Sequence, residues 1–191
     1  MRAIRVHEVG GPEVLRLEEL PVPEPGPGEV LVRLLAIGVN FIDCYFRSGL
    51  YPWPDPQRLI PGAEASGVVA DIGPWVTDLR QGDRVAYTLP NNAYASARNI
   101  AAAHVVKLPD GISFEAAASV MLKGLTARYL LKDSYALQPG QKVLFHAAAG
   151  GVGLIAGQWM AALRVKPVGT AGGPDKCRIA KAHGYVDVID Y

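Results

Sequence analysis

Lys142-Val143-Leu144-Phe145-His146-Ala147-Ala148-Ala149-Gly150-Gly151-Val152-Gly153 is the stretch on which the fold turns. Its apolar residues follow Gly140 and end in a glycine-rich turn, which predicts a short buried strand. The turn opens Leu154-Ile155-Ala156-Gly157-Gln158-Trp159, an apolar run with helical spacing. Strand, glycine turn and helix together give the context in which G-x-G-x-x-G signifies a dinucleotide site. The three positions of that fingerprint fall on Ala148, Gly150 and Gly153. Ala148 replaces the first glycine, so a slightly less tight turn is expected. Gly150 lets the backbone approach a pyrophosphate, and Gly153 lets helix and strand pack closely. The amides and dipole at the helix start suit phosphate. The competing reading is a Gly/Ala-rich turn in a buried βα unit with no ligand.

Downstream, the sequence predicts a helix to about Leu163, a strand Lys166–Thr170, a helix over Lys176–His183 and a strand Val186–Ile189. This βαβαβ order is one mononucleotide-binding half of a doubly wound sheet. Upstream of Pro109 the pattern is different. A hairpin is expected between Ala3 and Leu20, around Gly10-Gly11-Pro12. Pro21, Pro23, Pro25 and Pro27 form a stiff connector. Strands follow at Glu29–Ile37, Gly62–Ile72 and Arg84–Leu89, with a short helical or irregular segment over Gly38–Arg47 and a loop over Tyr51–Pro56. Short strands with Pro/Gly turns suggest a β-barrel-like domain. Ser113 is placed to cap a helix over Phe114–Ala118, and Gly124–Leu131 forms a second helical run. The expected division is residues 1–122 and 123–191.

The chain has 191 residues, of which 50% are hydrophobic and 19% charged, enough apolar content for a substantial core. The net charge of +1 argues against nucleic acid or an anionic membrane as main partner. Cys44 and Cys177, far apart, make no disulfide framework, which favours a reducing compartment. No signal peptide or ~20-residue apolar span is present, and a cytoplasmic location is expected.

Several motifs in order give a more specific match. They are Gly10-Gly11-Pro12-Glu13-Val14-Leu15, Ile37-Gly38-Val39-Asn40-Phe41-Ile42-Asp43, Arg47-Ser48-Gly49-Leu50-Tyr51-Pro52, Gly62-Ala63-Glu64, Gly82-Asp83-Arg84-Val85 and the fingerprint itself. Together they resemble the zinc-independent quinone oxidoreductases, the zeta-crystallin-like branch of the medium-chain dehydrogenases/reductases. The resemblance spans the whole chain. It implies a GroES-like catalytic domain followed by a Rossmann domain, here ending after its first βαβαβ half, whereas family members continue well beyond this point. It also implies NADPH-dependent reduction of quinones or activated enones, in a homodimer with the active site in the interdomain cleft.

The resemblance carries over to individual residues. Asn40 corresponds to an asparagine beside the nicotinamide; the alternative is an amide that holds its own turn. Tyr51 matches a family motif, and Tyr45 joins it as a candidate wall of an aromatic, quinone-sized pocket. Lys123-Gly124-Leu125-Thr126-Ala127 matches a cleft-facing helix, with Thr126 at the nicotinamide and Lys123 nearby; a mid-helix threonine otherwise bonds back to its own helix. No carboxylate follows the second nucleotide strand at Gly169-Thr170-Ala171-Gly172-Gly173, where an NAD site usually carries one. Lys176 and Tyr191 match residues at the 2′-phosphate, so NADPH is expected. Asp175 opposes that preference by charge, and Gly173 departs from the usual Ser or Thr. The cofactor set is thus Asn40, Thr126, Ala148, Gly150, Gly151, Val152, Gly153, Thr170, Lys176 and Tyr191.

Zinc-dependent relatives carry a ligand cysteine in the stretch matching Asn40–Asp43, and a histidine where Ala63 stands. Two isolated cysteines cannot build a four-ligand structural site, so no metal is expected. His146 is read as a satisfied core histidine, Glu64 as a buried structural acid, and Asp43 equally as a cap or a supporting group. The rival functions are a non-catalytic nucleotide-binding or crystallin-like structural protein, an inactive piece of a longer oxidoreductase, and a zinc alcohol dehydrogenase. An RNA-binding role is disfavoured by the missing basic patch.

Overall fold

The computed structural model describes residues 1–53 and 59–191, so the 54–56 part of the expected loop lies outside the described residues. The chain divides into two compact units, Met1–Met121 and Leu122–Tyr191.

In the first unit, the expected hairpin is β1 (Arg2–Arg5) antiparallel to β2 (Arg16–Glu19). The main sheet has the order β6-β3-β4-β5-β7. It comprises β3 (Glu29–Gly38), β4 (Glu64–Ile72), β5 (Arg84–Thr88), β6 (Ala97–Ala101) and β7 (Val105–Lys107), all paired antiparallel. Between β3 and β4 lies α1 (Phe41–Arg47). Alternation along β3 sends Val30, Val32 and Leu34 into a core with Ala65, Val69, Val85, Tyr87 and Ile100. The strands β6 and β7 go beyond the sequence reading. They have five and three residues, and β6 (Ala-Arg-Asn-Ile-Ala) is poor in residues of strand propensity. Pairing with β3 and β5 makes these segments strands.

The second unit begins inside a helix. Ser113 caps α2 (Phe114–Arg128), its hydroxyl accepting the Ala116 N–H at 3.1 Å. α2 is one continuous helix rather than two runs. Gly124 costs only about 1 kcal/mol relative to alanine in a helix interior, and Ala127 and Leu131 are both core residues. A π-helical turn follows over Tyr129–Ser134. Then come β8 (Lys142–Phe145), α3 (Gly151–Ala162), β9 (Lys166–Ala171), α4 (Pro174–Ala182) and β10 (Asp187–Asp190). The sheet is parallel with order β10-β9-β8, as the βαβαβ pattern requires.

Two expectations about β8 and its end are corrected. The strand is not buried on both faces: Val143 and Phe145 turn to the core, while Leu144 is 56% exposed. β8 is the edge strand of this sheet, and only one of its faces is covered within the unit. His146 is likewise exposed rather than in the core, with Nδ1 3.2 Å from the Thr170 hydroxyl.

The first sheet bends at irregularities in β3, between Leu31 and Val32 and between Leu34 and Ala36. Gly67 pairs with Leu34 beside the second of these. A methyl at position 67 would overlap the Arg33 carbonyl oxygen, which is backbone and cannot move aside. Gly67→Ala should therefore destabilise the first unit by about 3 kcal/mol, read as a lowered urea midpoint. Gly111→Ala, where nothing lies within 4 Å of the new methyl, should leave the midpoint nearly unchanged.

Candidate functional site

The turn after β8 is closed by two backbone hydrogen bonds. Gly150 N–H donates to the Ala147 carbonyl at 2.8 Å, and Ala148 N–H donates to the Thr170 carbonyl of β9 at 2.9 Å. Ala147 takes the left-handed conformation, φ 54°, so the strain sits one residue before the fingerprint's first position. The turn is tight despite Ala148. That methyl is fully buried and uses room left at Gly169, whose own Cβ would stand 2.6 Å from it. A methyl at Gly153 would come within 2.5 Å of the Ala147 carbonyl oxygen and 2.6 Å of that of Ala148. The third fingerprint glycine thus sets the close approach of α3 to the turn.

Gly150 is the N-cap of α3, exposed and extended (φ −79°, ψ 168°). Only Ala147 atoms lie within 4 Å of the position its Cβ would take. Beyond it, the first-turn amides of Gly151, Val152 and Gly153 lack intrahelical acceptors, and the turn carries no acid. The stem of Lys123 crosses Gly151, with Cδ 2.8 Å and Cε 3.0 Å from where a Cβ would be. Thr126, one turn further along α2, donates its hydroxyl to the Leu122 carbonyl at 2.7 Å. The helix uses its proton, and its lone pairs remain as acceptors. Thr170 is buried, held between His146 and the Ala148 amide.

At the ends of β9 and β10, Gly172 and Gly173 lead into α4. Gly173 has φ 89°, which suits glycine. The Tyr191 ring lies 3.8 Å from the position of a Gly172 Cβ. Lys176 is exposed in the first turn of α4, and Asp175 beside it is ion-paired with Arg178. Asp190 accepts the Gly173 N–H at 2.6 Å. No motif marks that acid, which sequence reading passes over.

The first unit gathers a second set of polar groups. Asn40 caps α1. Its Nδ2 donates to Oε1 of Glu64 at 2.9 Å, and its backbone N–H donates to Oδ2 of Asp43 at 2.9 Å. The register that pairs Gly38 with Glu64 brings the acid alongside. Tyr94 donates its hydroxyl to the same Asp43 oxygen at 2.9 Å. Tyr94 comes from a loop 51 residues away, and no spacing in the sequence points to it. Tyr45 and Tyr51 are in ring contact at 5.3 Å, and Phe46 meets both Tyr51 and Trp53 edge-on. The two tyrosines are partly exposed, as an aromatic wall would be.

Residues 26–139 match the alcohol dehydrogenase GroES-like domain family. The chain belongs to that family. Within the medium-chain dehydrogenases/reductases its place is on the quinone oxidoreductase branch. A quinone oxidoreductase of Pseudomonas aeruginosa is 53% identical over 192 residues, covering all of this chain and 58% of that protein. The crystal structure of a Pseudomonas syringae quinone oxidoreductase superposes with a TM-score of 0.94 at 50% identity, covering 100% of this chain and 58% of its own. The Escherichia coli quinone oxidoreductase, solved with NADPH, gives 0.95 at 47% identity, covering 100% and 59%. The chain thus spans under two thirds of the length of the relatives it matches.

In the GroES-like unit, the two acids flanking Asn40 are both buried, Asp43 at 4% exposure and Glu64 at 0%. Among the described residues no group of three or more His, Cys, Asp or Glu is arranged to hold a metal ion. Burial pushes the Asp43 carboxyl above the ordinary carboxylate range. The Asn40 amide and the Tyr94 hydroxyl pull it back, and the Glu64 charge raises it further. Burial and the Asp43 charge push the Tyr94 hydroxyl up in turn, so it stays a donor. The Gly62 N–H also lowers the Asp43 carboxyl, and Asp43 Oδ1 is buried without a hydrogen bond of ordinary geometry.

A raised native pKa means the folded state binds the Asp43 proton more tightly than the unfolded chain does. Its contribution to stability is complete below the unfolded value near pH 4 and is lost as pH rises through the native value. Asp43→Asn removes this titration. Its stability relative to wild type should shift in the variant's favour between pH 4 and pH 7, by about 1.4 kcal/mol per unit of elevation. Urea denaturation at both pH values checks this; parallel changes in the two proteins would contradict a raised Asp43.

Proposed function

We propose that this chain binds NADPH and serves the zinc-free reduction of quinones or activated enones. The observation that carries the reading is the cradle at Gly150: an exposed glycine N-cap, the first-turn amides of α3 behind it, and the Lys123 stem across Gly151. Backbone donors at a helix N-terminus fit a pyrophosphate, and Gly150, whose Cβ position has only Ala147 atoms within 4 Å, leaves its exposed side open to close approach of that group. In this reading Ala148, Gly150, Gly151, Val152 and Gly153 hold the pyrophosphate, with Thr170 behind the turn. Lys176 and Tyr191 face the 2′-phosphate, and Asn40 and Thr126 the nicotinamide. The NADPH bound to the Escherichia coli relative supports the choice of cofactor.

When bound, the nicotinamide supplies the hydride. The chain's residues supply position and polar contacts. Glu64 accepts a hydrogen bond from the Asn40 side-chain amide and so fixes which way that side chain faces. Thr126, its own proton committed to the helix, offers only acceptor lone pairs. Tyr45 and Tyr51 supply aromatic faces for a planar substrate and hydroxyls for its oxygens. The lack of a ligand cysteine over Asn40–Asp43, and Ala63 in place of a histidine, support chemistry without a metal. The near-neutral charge argues against nucleic acid as a partner, and the two free cysteines support a reducing, cytoplasmic setting. Among the described residues no helix is long and apolar enough to cross a membrane. The resemblance supports a homodimer.

The test is a fluorescence titration of the purified chain with NADPH, with NADH in parallel. Saturable binding that favours NADPH is expected. Gly150→Ala should weaken it at least about tenfold, since the methyl fills the phosphate's space, while shifting stability by no more than about 1 kcal/mol. Absence of nucleotide binding by the folded chain would refute the reading and leave the structural role as the better account.

A further inference from the structure

The acid that a βαβ unit usually presents to the adenosine ribose stands at the end of its second strand. Here that strand, β9, ends at Ala171 and continues into Gly172-Gly173 with no carboxylate. A carboxylate reaches the same place from the third strand. Asp190, the last residue of β10, pairs in register with Ala171, and its Oδ1 accepts the Gly173 N–H at 2.6 Å. Nothing lies within 4 Å of the position a Gly173 Cβ would take. Residue 174 is proline and has no N–H, and Asp190 holds the amide just before it. Tyr191 and Lys176, the residues aligned with a 2′-phosphate, flank the same turn. Asp175, the acid nearest Lys176 in sequence, is turned aside to Arg178.

We infer that Asp190 sets the cofactor preference of this chain. Gly173 engages Oδ1, which leaves Oδ2 as an acceptor for the 2′-hydroxyl of an NADH ribose. The same charge repels a 2′-phosphate and offsets part of the attraction of Lys176. The preference for NADPH over NADH is therefore narrow, and one carboxylate on β10 narrows it. This inference rests on the dinucleotide reading above.

The experiment titrates wild type, Asp190→Asn and Asp190→Ala with NADPH and with NADH at low ionic strength. Asparagine keeps an oxygen for the Gly173 amide and removes the charge. NADPH affinity should rise about fivefold or more in Asp190→Asn, while NADH affinity stays level or falls. The gain should shrink as salt is added. Asp190→Ala should move the ratio in the same direction. If both nucleotides bind and the ratio is unchanged in Asp190→Asn, the inference is wrong. If only Asp190→Ala changes, by losing both nucleotides alike, Asp190 merely holds the Gly173 turn, and the inference is again overturned. If wild type binds neither nucleotide, the dinucleotide reading fails, and this inference fails with it.

Discussion

The second unit depends on one close approach. The N-terminus of α3 rests on the carbonyls of Ala147 and Ala148, and only a residue without a Cβ permits it at position 153. Tyr185 secures the same glycine from the other side, donating its hydroxyl to the Gly153 carbonyl at 2.8 Å. Gly157, one turn on, leaves room for the Tyr185 ring. With the helix fixed at that distance, the free amides of its first turn have a defined direction. Ala147 must then take φ 54°, and Ala148 must find space at Gly169. The geometry of the proposed phosphate cradle follows from packing.

The first unit is organised by burial of charge. Asp43 and Glu64 bracket Asn40, and hydrogen-bond donors reach both acids. Neutral donors at hydrogen-bond distance make such burial tolerable. The arrangement fixes one amide at two points, through its backbone N–H and its Nδ2.

Much of this was legible in the sequence because it is local. The alternation of β3, the Ser113 cap and the strand–turn–helix order around Gly150 are each set within about ten residues. The features that escaped depend on contacts distant in the chain. β6 is a strand because β3 is beside it. Leu144 is exposed because nothing in its unit covers that face of β8. Tyr94 completes the Asp43 site from 51 residues away. The family motifs pointed to Asn40, Thr126 and Lys176, but what each does with its hydrogen bonds is visible only in the folded chain. Thr126 is the clearest case: its hydroxyl bonds back to Leu122, as the bland reading of a mid-helix threonine expected.

Asp43 shows why the Asn40 cluster stands apart from the core around it. The core strands obey the ordinary rule that buried side chains are apolar. At Asn40 two carboxylates are buried together, and Asp43 Oδ1 makes no hydrogen bond of ordinary geometry, although the Gly62 N–H helps to hold the carboxylate. Leaving a buried polar atom unsatisfied costs about 1–3 kcal/mol, and an apolar residue of similar size would avoid that cost. Local rules that fail in an otherwise consistent fold mark places shaped by something other than stability. The cap alone does not account for the arrangement: a helix of seven residues is served by Asn40 and one acceptor. The second carboxylate, Glu64, adds nothing to the cap. It orients the Asn40 side chain, which is the part of the residue that a ligand would meet.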